Sequence, residues 1–336
     1  MRKSTATIRD VAREAGVSVA SASRALNGHV NVTAATRQRI LAAADKLDYI
    51  PHVGARSLTM ARTNAIGVVL PDLFGEFFSE VIRGIDRGAH RAGLQLLLAN
   101  MHGDAQETAA AIRAMRGRVD GLLVMSPEIE LTFLNQHLPR NLPTVVLNRQ
   151  IVDSHYGSIA IDNVSGARAI VAHLISQGYR RIAHIAGPPD NSDARERLDG
   201  FRAAMAEMTG ERDPVVLPGN FSDLSGRAAA ERWLAGEFAA DAIFAANDMS
   251  AVGCLNLLEE RGVPVPARVA VAGFDDIPIA RYVTPGLTTM RVHIADFGTR
   301  AFELLAAIIA DPDAPPPPGE VMVPELVVRR STLRCA

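Results

Sequence analysis

The chain has 336 residues, of which 48% are hydrophobic, and it carries 35 Lys or Arg against 37 Asp or Glu. That length predicts more than one domain. Two cysteines exclude a disulfide scaffold and argue against a metal site, and no apolar run is long enough to span a membrane. The polar, basic amino terminus lacks the apolar core of a signal peptide, so we expect a cytoplasmic protein.

The overall charge of −2 conceals a basic head on an acidic body. Residues 1–62 hold ten Arg or Lys and four Asp or Glu, a net charge of +6, so residues 63–336 carry a net charge of −8. A basic segment neutralises DNA phosphates and releases counterions, whereas an acidic body does not. The distribution favours nucleic-acid contact through the first 62 residues alone.

Three short helices are predicted in the basic head. Thr7 and Asp10 fit a capping box, and Gly16 supplies the left-handed residue that ends the first helix. Ser18 then caps a second helix and Thr33 a third. Two short helices joined by a glycine turn are typical of the helix-turn-helix motif. The alternative is an ordinary helical bundle with a solvated basic face, because this pattern alone is not specific.

From residue 65 onward, apolar strand runs alternate with helical segments. The alternation predicts an α/β fold with two lobes, each built on an open parallel sheet. A helix over 294–309, a proline-rich loop over 311–319 and a strand over 321–328 predict that the chain recrosses both lobes. The other expected strands are 65–70, 94–99, 121–125, 144–147, 158–161, 181–186, 214–217, 242–245 and 269–274.

Polar and aromatic residues follow the ends of many of these strands. Open parallel sheets bind ligands beyond the carboxyl ends of their strands, and rings, carboxylates, amides and guanidinium groups suit a polyhydroxylated ring. The candidates are Phe77, Phe78, Asn148, Asp193, Arg197, Phe221, Asn247, Asp248 and Asp275. Individually, Asp193 and Asp248 could cap helices, Asp275 could stabilise a turn and Phe78 could belong to the core.

The head resembles that of the lactose repressor/galactose repressor family of bacterial transcription regulators. The resemblance rests on the helix pair, Asn27-Gly28, Tyr49-Ile50-Pro51 and the element Ala55 to Leu58. The body resembles the two-lobed periplasmic sugar-binding fold, through motifs such as Arg197-Leu198-Asp199-Gly200-Phe201 and Ala272-Gly273-Phe274-Asp275-Asp276. Together the motifs cover nearly the full chain.

The resemblance implies specific DNA contacts. Val19, Ala20 and Arg24 would face base edges, since Arg24 suits guanine and the two small residues suit thymine methyl groups. Leu58 would wedge into the central base step from a hinge helix that forms on DNA, and Gly54 departs from the better helix formers expected there. The remaining DNA-contact candidates are Thr7, Ser18, Ser21, Ser23, Asn27, Asn31, Thr33, Tyr49 and Ala55.

The resemblance also implies a domain order and partners. The helix-turn-helix headpiece would span 1–50, the hinge 51–62 and the effector-binding and dimerisation domain 63–336. One lobe would comprise about 63–161 and 292–322, and the other about 162–291 and 323–336. Phe77 or Phe78 would stack on the effector, and Arg197 and Asp275 would hydrogen-bond it. We expect a homodimer on a pseudopalindromic operator, with a carbohydrate effector between the lobes and no cofactor or metal.

Other classes of function have less support in the sequence. A sugar-processing α/β enzyme lacks support because we find no glycine-rich phosphate loop, no dinucleotide fingerprint and no nucleophile elbow. A sugar-binding protein without DNA activity is opposed by the basic head, and a purely architectural DNA-binding protein by the cleft residues. A purine or nucleoside corepressor remains the alternative effector.

Overall fold

The computed structural model describes residues 6–27, 31–49, 62–73, 75–101, 104–151 and 155–334. The chain divides into two compact units, residues 1–63 and residues 64–336. Within the described ranges, no helix combines the length and the apolar character needed to cross a membrane.

The first unit contains the three expected helices, α1 (Ile8–Glu14), α2 (Val19–Leu26) and α3 (Ala34–Lys46). The backbone N–H and the hydroxyl of Thr7 both donate to the Asp10 carboxylate, at 3.0 and 2.7 Å. Gly16 has a φ of 64°. The helices enclose a small core of buried side chains: Val11, Ala12, Ala15, Ala22, Ala25, Ile40, Ala43 and Ala44. The capping and turn predictions are therefore confirmed.

The second unit opens with a lobe built on a six-stranded parallel sheet in the order β11-β5-β4-β3-β1-β2. We name it the N-lobe. Its elements along the chain are β1 (Ala65–Leu70), α4 (Glu76–Arg91), β2 (Gln95–Asn100), α5 (Ala105–Met115), β3 (Gly121–Met125), α6 (Leu131–His137), β4 (Thr144–Leu147) and β5 (Gly157–Ile161). Strands β1, β3, β4 and β5 are buried along their lengths, whereas β2 lies at the edge of the sheet and is partly exposed.

The other lobe, named the C-lobe, is built on a four-stranded parallel sheet in the order β7-β6-β8-β9. Its elements are α7 (Asn163–Ser176), β6 (Ile182–Ile185), α8 (Ser192–Thr209), β7 (Val216–Leu217), α9 (Asp223–Leu234), β8 (Ala242–Ala245), α10 (Asp248–Glu260) and β9 (Ala270–Ala272). Helix α8 begins three residues earlier than expected, so Asp193 lies in its first turn and Asn191 is the N-cap.

The chain then returns through both lobes. The returning elements are β10 (Thr289–Arg291), α11 (Ile294–Ala310), β11 (Glu320–Met322) and β12 (Glu325–Val327). The prediction of a single strand over 321–328 was wrong. Strand β11 pairs with β5 of the N-lobe sheet, whereas β12 pairs antiparallel with β10 in a separate two-stranded sheet. The chain has to leave the first sheet before it can join the second, so the apolar run is divided.

A close helix crossing positions one side of the C-lobe. A Cβ added at Gly226 of α9 would collide with the Ser250 carbonyl of α10, and one added at Gly253 of α10 would collide with the Asp223 carbonyl of α9. Glycine at both positions lets the two backbones approach each other. The residues just before these helices, Phe221 and Asn247, are thereby brought together.

Candidate functional site

The outward face of α2 carries the residues expected to meet bases. Val19 is 43% exposed, and Ala20 and Arg24 are also exposed, whereas Ala22 and Ala25 on the opposite face are buried. Small apolar side chains beside one guanidinium group form a surface that fits the thymine methyl and the guanine edge in a major groove. The exposed face of α2 therefore carries Val19, Ala20 and Arg24, and the opposite face packs in the headpiece core.

Local hydrogen bonds hold several of the side chains expected at phosphates. Ser18 Oγ accepts from the Ser21 backbone N–H at 3.1 Å and caps α2. Asn27 Nδ2 donates to Ser23 Oγ at 3.4 Å, and Thr33 caps α3. The bonds of Ser18 and Thr33 lie at helix amino ends, where free N–H groups gather, whereas the Asn27–Ser23 bond lies at the carboxyl end of α2. Their phosphate contacts stay a prediction.

The remaining DNA-contact candidates differ in their surroundings. Asn31 is exposed, and Tyr49 is half-buried against the headpiece core. Thr7 is engaged with Asp10 at the start of α1. Ala55 and Leu58 lie outside the described residues.

Arg197 is the centre of the candidate effector site. Its guanidinium donates from Nε to Asn163 Oδ1 at 2.9 Å and from Nη1 to the Ala246 carbonyl at 2.6 Å, and Nη2 lies 3.1 Å from Asp275 Oδ1. The Phe274 ring centroid lies 3.9 Å from Cζ. Arg197 on α8 thus ties the start of α7 to the residues that follow β8 and β9, where ligand-binding side chains were expected.

Asp193 links the two lobes. Its Oδ2 accepts from Asn148 Nδ2 of the N-lobe at 2.7 Å, and its Oδ1 accepts from Asn163 Nδ2 at 3.1 Å. Asn163 Nδ2 also donates to Glu196 Oε2 at 2.9 Å. Asn148 follows β4 and has a φ of 56°, a conformation that asparagine tolerates better than most residues. The structure therefore brings Asn148, Asp193, Arg197 and Asp275 into one connected network.

Two further pairs of atoms cross between the lobes beside this network. The Ser192 backbone N–H donates to the Pro127 carbonyl at 3.1 Å, and Asn191 Nδ2 donates to Glu128 Oε1 at 2.8 Å. Both bonds join the segment after β3 in the N-lobe to the start of α8 in the C-lobe. A molecule bound at this seam would contact both lobes at once.

The C-lobe side of the candidate effector site is formed or supported by Phe221, Asn247 and Asp248. The Phe221 ring centroid lies 5.9 Å from the Arg197 guanidinium, and Asn247 Nδ2 donates to the Phe221 carbonyl at 2.9 Å. Asp248 is fully buried, and its carboxylate accepts from the Ile277 N–H at 2.9 Å and from Thr289 Oγ1 at 2.6 Å. Asn247, rather than Asp248, caps α10. Asp248 therefore braces the turn that presents Asp275.

Phe77 and Phe78 lie in the first turn of α4 and do not belong to the polar network. Their rings meet edge to face, with centroids 5.5 Å apart. Both are half-buried and pack against the large hydrophobic core. Their contact with an effector stays a prediction, and core packing accounts for part of their surface.

Burial raises the pKa of the carboxyl groups at this site. It raises the pKa of Asp275 to about 6, although Arg197 opposes the rise, and it raises the pKa of Asp193 against Arg197, Asn148 and Asn163. The pKa values of Glu128 and Glu196 are also raised, mainly by burial. Ionised carboxylates are poorly solvated in this buried seam. Ligand groups that donate hydrogen bonds to them are therefore favoured.

Several polar groups at this seam are not among the residues predicted from the sequence. Asn163 and Ser126 follow β5 and β3, two strand ends that yielded no candidates from the sequence. The buried polar atoms without a hydrogen-bond partner among the described residues include four at the seam between the lobes, namely Ser126 Oγ, Glu128 Oε2, Asn148 Oδ1 and Ser192 Oγ. Buried polar atoms are normally paired, so a group of unpaired atoms at one seam indicates a site for a polar ligand.

Comparisons with known proteins agree with both halves of this description. Residues 7–52 match the family model described as bacterial regulatory proteins, lacI family, and residues 171–332 match the periplasmic binding protein-like domain. The chain is 34% identical over 331 residues to the HTH-type transcriptional regulator GalR of Escherichia coli K12, covering 97% of this chain and 95% of that protein. It is 35% identical to the HTH-type transcriptional repressor PurR of Photobacterium profundum, with coverage of 97% and 98%.

A solved structure has the same fold. The lac repressor dimer bound to operator and the anti-inducer ONPF superimposes with a TM-score of 0.86 at 26% identity, covering 98% of this chain and 100% of that one. The likeness extends through the headpiece and the two lobes.

Proposed function

The chain belongs to the lacI family of bacterial regulatory proteins, and from that premise we propose a repressor whose operator affinity is set by a small molecule bound between its lobes. The observation that carries the proposal is the network from Asn148 through Asp193 and Asn163 to Arg197 and Asp275, which spans both lobes. A ligand that replaces or extends these bonds acts on the angle between the lobes. In the bacterial cytoplasm, the basic headpiece would hold the operator.

The effector that fits this site best is a sugar or a glycoside. Carboxylate, amide and guanidinium groups make planar, paired hydrogen bonds to neighbouring hydroxyls, and the Phe221 ring offers an apolar surface to the C–H face of a pyranose. A purine corepressor is the alternative. The identities to GalR and PurR, 34% and 35%, do not separate the two. The number of hydrogen-bonding groups favours the sugar.

A homodimer on a pseudopalindromic operator completes the proposal. Leu97 and Leu98 are 37% and 44% exposed on the edge strand β2, and Leu224 and Tyr282 of the C-lobe are 69% and 78% exposed. Large exposed apolar side chains in both lobes are typical of surfaces that a second copy covers. A two-fold dimer would present two copies of α2 to two half-sites. The similar lac repressor structure is a dimer bound to operator.

The coupling follows from linkage. If the effector binds one arrangement of the lobes more tightly, and the operator favours another, each ligand weakens the other by the same factor, typically worth about 1–3 kcal/mol. We propose that the sugar acts as an inducer. No catalytic step is proposed, because the Asp193 and Asp275 carboxylates are engaged by amide and guanidinium donors rather than placed beside a nucleophile.

The test has two parts. An operator is first selected from random duplexes with the full-length protein, and a thermal-shift screen of mono- and disaccharides, sugar phosphates, nucleosides and purines then identifies ligands of the folded state. Fluorescence anisotropy measures operator affinity with and without each ligand. A sugar that raises the melting midpoint and weakens operator binding supports the proposal. A purine that tightens operator binding, with every sugar silent, supports the alternative.

A further inference from the structure

We propose that the effector carries a protonated amine, as an amino sugar does, and that Glu128 receives it at the seam between the lobes. This inference rests on the proposed function, because it names the chemical class that the same site would take. It stands on the unpaired atoms at the seam and on the balance of charge around them.

The unpaired atoms at the seam are acceptors or hydroxyl groups. Glu128 Oε2 and the Asn148 amide oxygen can only accept hydrogen bonds, while Ser126 Oγ and Ser192 Oγ can do either. The unpaired side-chain atoms within the described residues of this seam include no pure donor. A ligand part that lies here must therefore bring donors, whereas a carboxylate or a phosphate would bring further acceptors.

These atoms are buried enough that the missing hydrogen bonds are unfavourable. Ser126 is 2% exposed and Asn148 is 6% exposed, and Asn148 already uses its amide nitrogen to reach Asp193. Glu128 uses one carboxylate oxygen for Asn191 and leaves the other without a partner among the described residues. A buried acceptor without a partner has lost its hydrogen bonds to water and gained none in return, so a donor placed here is favoured.

The charge balance selects an ammonium group over a neutral hydroxyl. Arg197 and Asp275 form an ion pair and cancel each other. Among the seam side chains that are not exposed to solvent, Glu128 and Asp193 lie near the Arg149 guanidinium, which leaves an excess of one carboxylate. Glu196 and Arg195 are exposed, and their opposite charges offset each other. One positive charge on the ligand balances the excess carboxylate.

Glu128 is the carboxylate placed to take that charge. Asp193 accepts a hydrogen bond on each oxygen, from Asn148 and Asn163, and Glu196 is exposed to solvent, whereas Glu128 keeps one buried oxygen without a partner among the described residues. Glu128 belongs to the N-lobe segment that bonds directly to the first turn of α8. An ammonium on Glu128 would therefore also strengthen the connection between the lobes.

The experiment compares matched ligands on the full-length protein. Glucose, galactose and mannose are each titrated at pH 7 by calorimetry in four forms: the neutral sugar, the amino sugars with the amine at carbon 2, 3 or 6, the N-acetyl form and the uronic acid. At least one free amine is expected to bind roughly tenfold or more tightly than its neutral and N-acetyl counterparts. The inference is overturned if a neutral or acidic form binds best. It is also overturned if no amino sugar shows measurable binding.

Variants then assign the amine to Glu128. In Glu128→Gln the preference for the amine over the neutral form is expected to fall to about threefold or less. The matched control is Glu231→Gln, a carboxylate exposed on α9, in which the preference is expected to stay. If Glu128→Gln keeps the preference for the amine over the neutral sugar, Glu128 does not bind the amine. Operator binding by the ligand-free wild-type protein is measured separately, so a failure of the DNA-binding proposal is distinguishable from a failure here.

Discussion

Arg197 and Asp275 form a buried ion pair, with Nη2 and Oδ1 3.1 Å apart and side chains only 4% and 7% exposed. Two charges are removed from water at this point, and their attraction is supported by the hydrogen bonds that Arg197 gives to Asn163 and to the Ala246 carbonyl. The pair holds the turn after β9 against α8. The shape of the effector site therefore depends on a charge pair that is costly to disrupt.

Replacing Arg197 by alanine should destabilise the second unit. Asp275 would lose its partner while it stays buried, and breaking one side of such a pair typically costs about 3–5 kcal/mol. Urea unfolding of the purified variant measures the change in free energy. The control is Arg227→Ala, which breaks the exposed pair with Glu260 and should change the urea midpoint little. Equal losses in the two variants would contradict the special role of the buried pair.

Effector affinity should fall at acidic pH if the ligand donates a hydrogen bond to Asp275. Burial raises the pKa of this carboxyl to about 6, so the ionised form that accepts the bond is lost as pH falls through that value. Affinity should be level from pH 7 to 8 and should decline, by up to about tenfold per unit, below pH 6. Calorimetric titration of an effector found by the screen measures this profile.

The matched variant for that profile is Asp275→Asn. Asparagine cannot lose a proton, and it tolerates the positive φ of 115° at this position better than most residues. Its affinity should be lower at pH 8 and should lack the contribution of Asp275 to the acidic decline. A variant with the same decline as the wild-type protein would assign the titration to another group.

Arg24→Ala should relax the choice of one base pair in each half-site. If the exposed guanidinium on α2 meets a guanine edge, its loss should cost roughly 1–3 kcal/mol on the selected operator and less on operators already changed at that position. Anisotropy titrations against single-base operator variants measure the pattern. Arg39→Ala, an exposed arginine on α3, is the comparison. An even loss across all operators would make Arg24 a phosphate contact.

Much of this fold could be predicted because its signals are local. The caps Thr7, Ser18 and Thr33 and the turn at Gly16 depend on neighbours within a few residues, and each is confirmed. The buried strands of a parallel sheet are continuous apolar runs and are found in the same way. The run over 321–328 failed because its division depends on two distant partners, β5 and β10.

The residues of the candidate site that directly follow strands could be predicted from the sequence. Asn148, Arg197 and Asp275 follow strands, and the structure connects them in one network. Asn163 obeys the same rule but was passed over, and the Glu128–Asn191 contact could not be inferred because it joins segments 63 residues apart. Contacts between side chains of the two lobes depend on the tertiary fold. The local sequence pattern does not predict them.

Gly253→Ala should destabilise the C-lobe and disturb the pairing of Phe221 with Asn247. The added methyl group would meet the Asp223 carbonyl, and backbone cannot move aside as a flexible side chain does. Overpacking of this kind costs roughly 1–3 kcal/mol. Thermal and urea unfolding measure the loss. In the control, Gly286→Ala, the nearest atom is the Arg329 side chain at 3.4 Å, so a small effect is expected.

His184 should make the protein less stable as the pH falls below about 6.5. The side chain is completely buried beside Phe201 and Phe244, with ring centroids 4.9 and 4.8 Å away, and Nδ1 lies 2.9 Å from the Phe244 carbonyl. Burial lowers its pKa from 6.5 to about 3. Between those values the unfolded chain binds a proton that the folded chain does not.

The sign follows from that difference in bound protons. The contribution of His184 is fully present above pH 6.5 and is lost by about 1.4 kcal/mol per unit as pH falls toward 3. Asp193, Asp248 and Asp275 act in the opposite direction, because their raised pKa values let the folded state bind protons more readily. The comparison must therefore be between a variant and the wild-type protein, not between pH values alone.

His184→Gln removes the titrating group while keeping a donor for the Phe244 carbonyl. Urea unfolding at pH 7.5, 6.5, 5.5 and 4.5 should show a shallower loss of stability in this variant, with the two curves converging as the pH falls. His90→Gln, an exposed histidine on α4, should leave the wild-type slope unchanged. Parallel curves for His184→Gln and the wild-type protein would mean that folding does not lower the pKa of the buried ring, and would contradict this prediction.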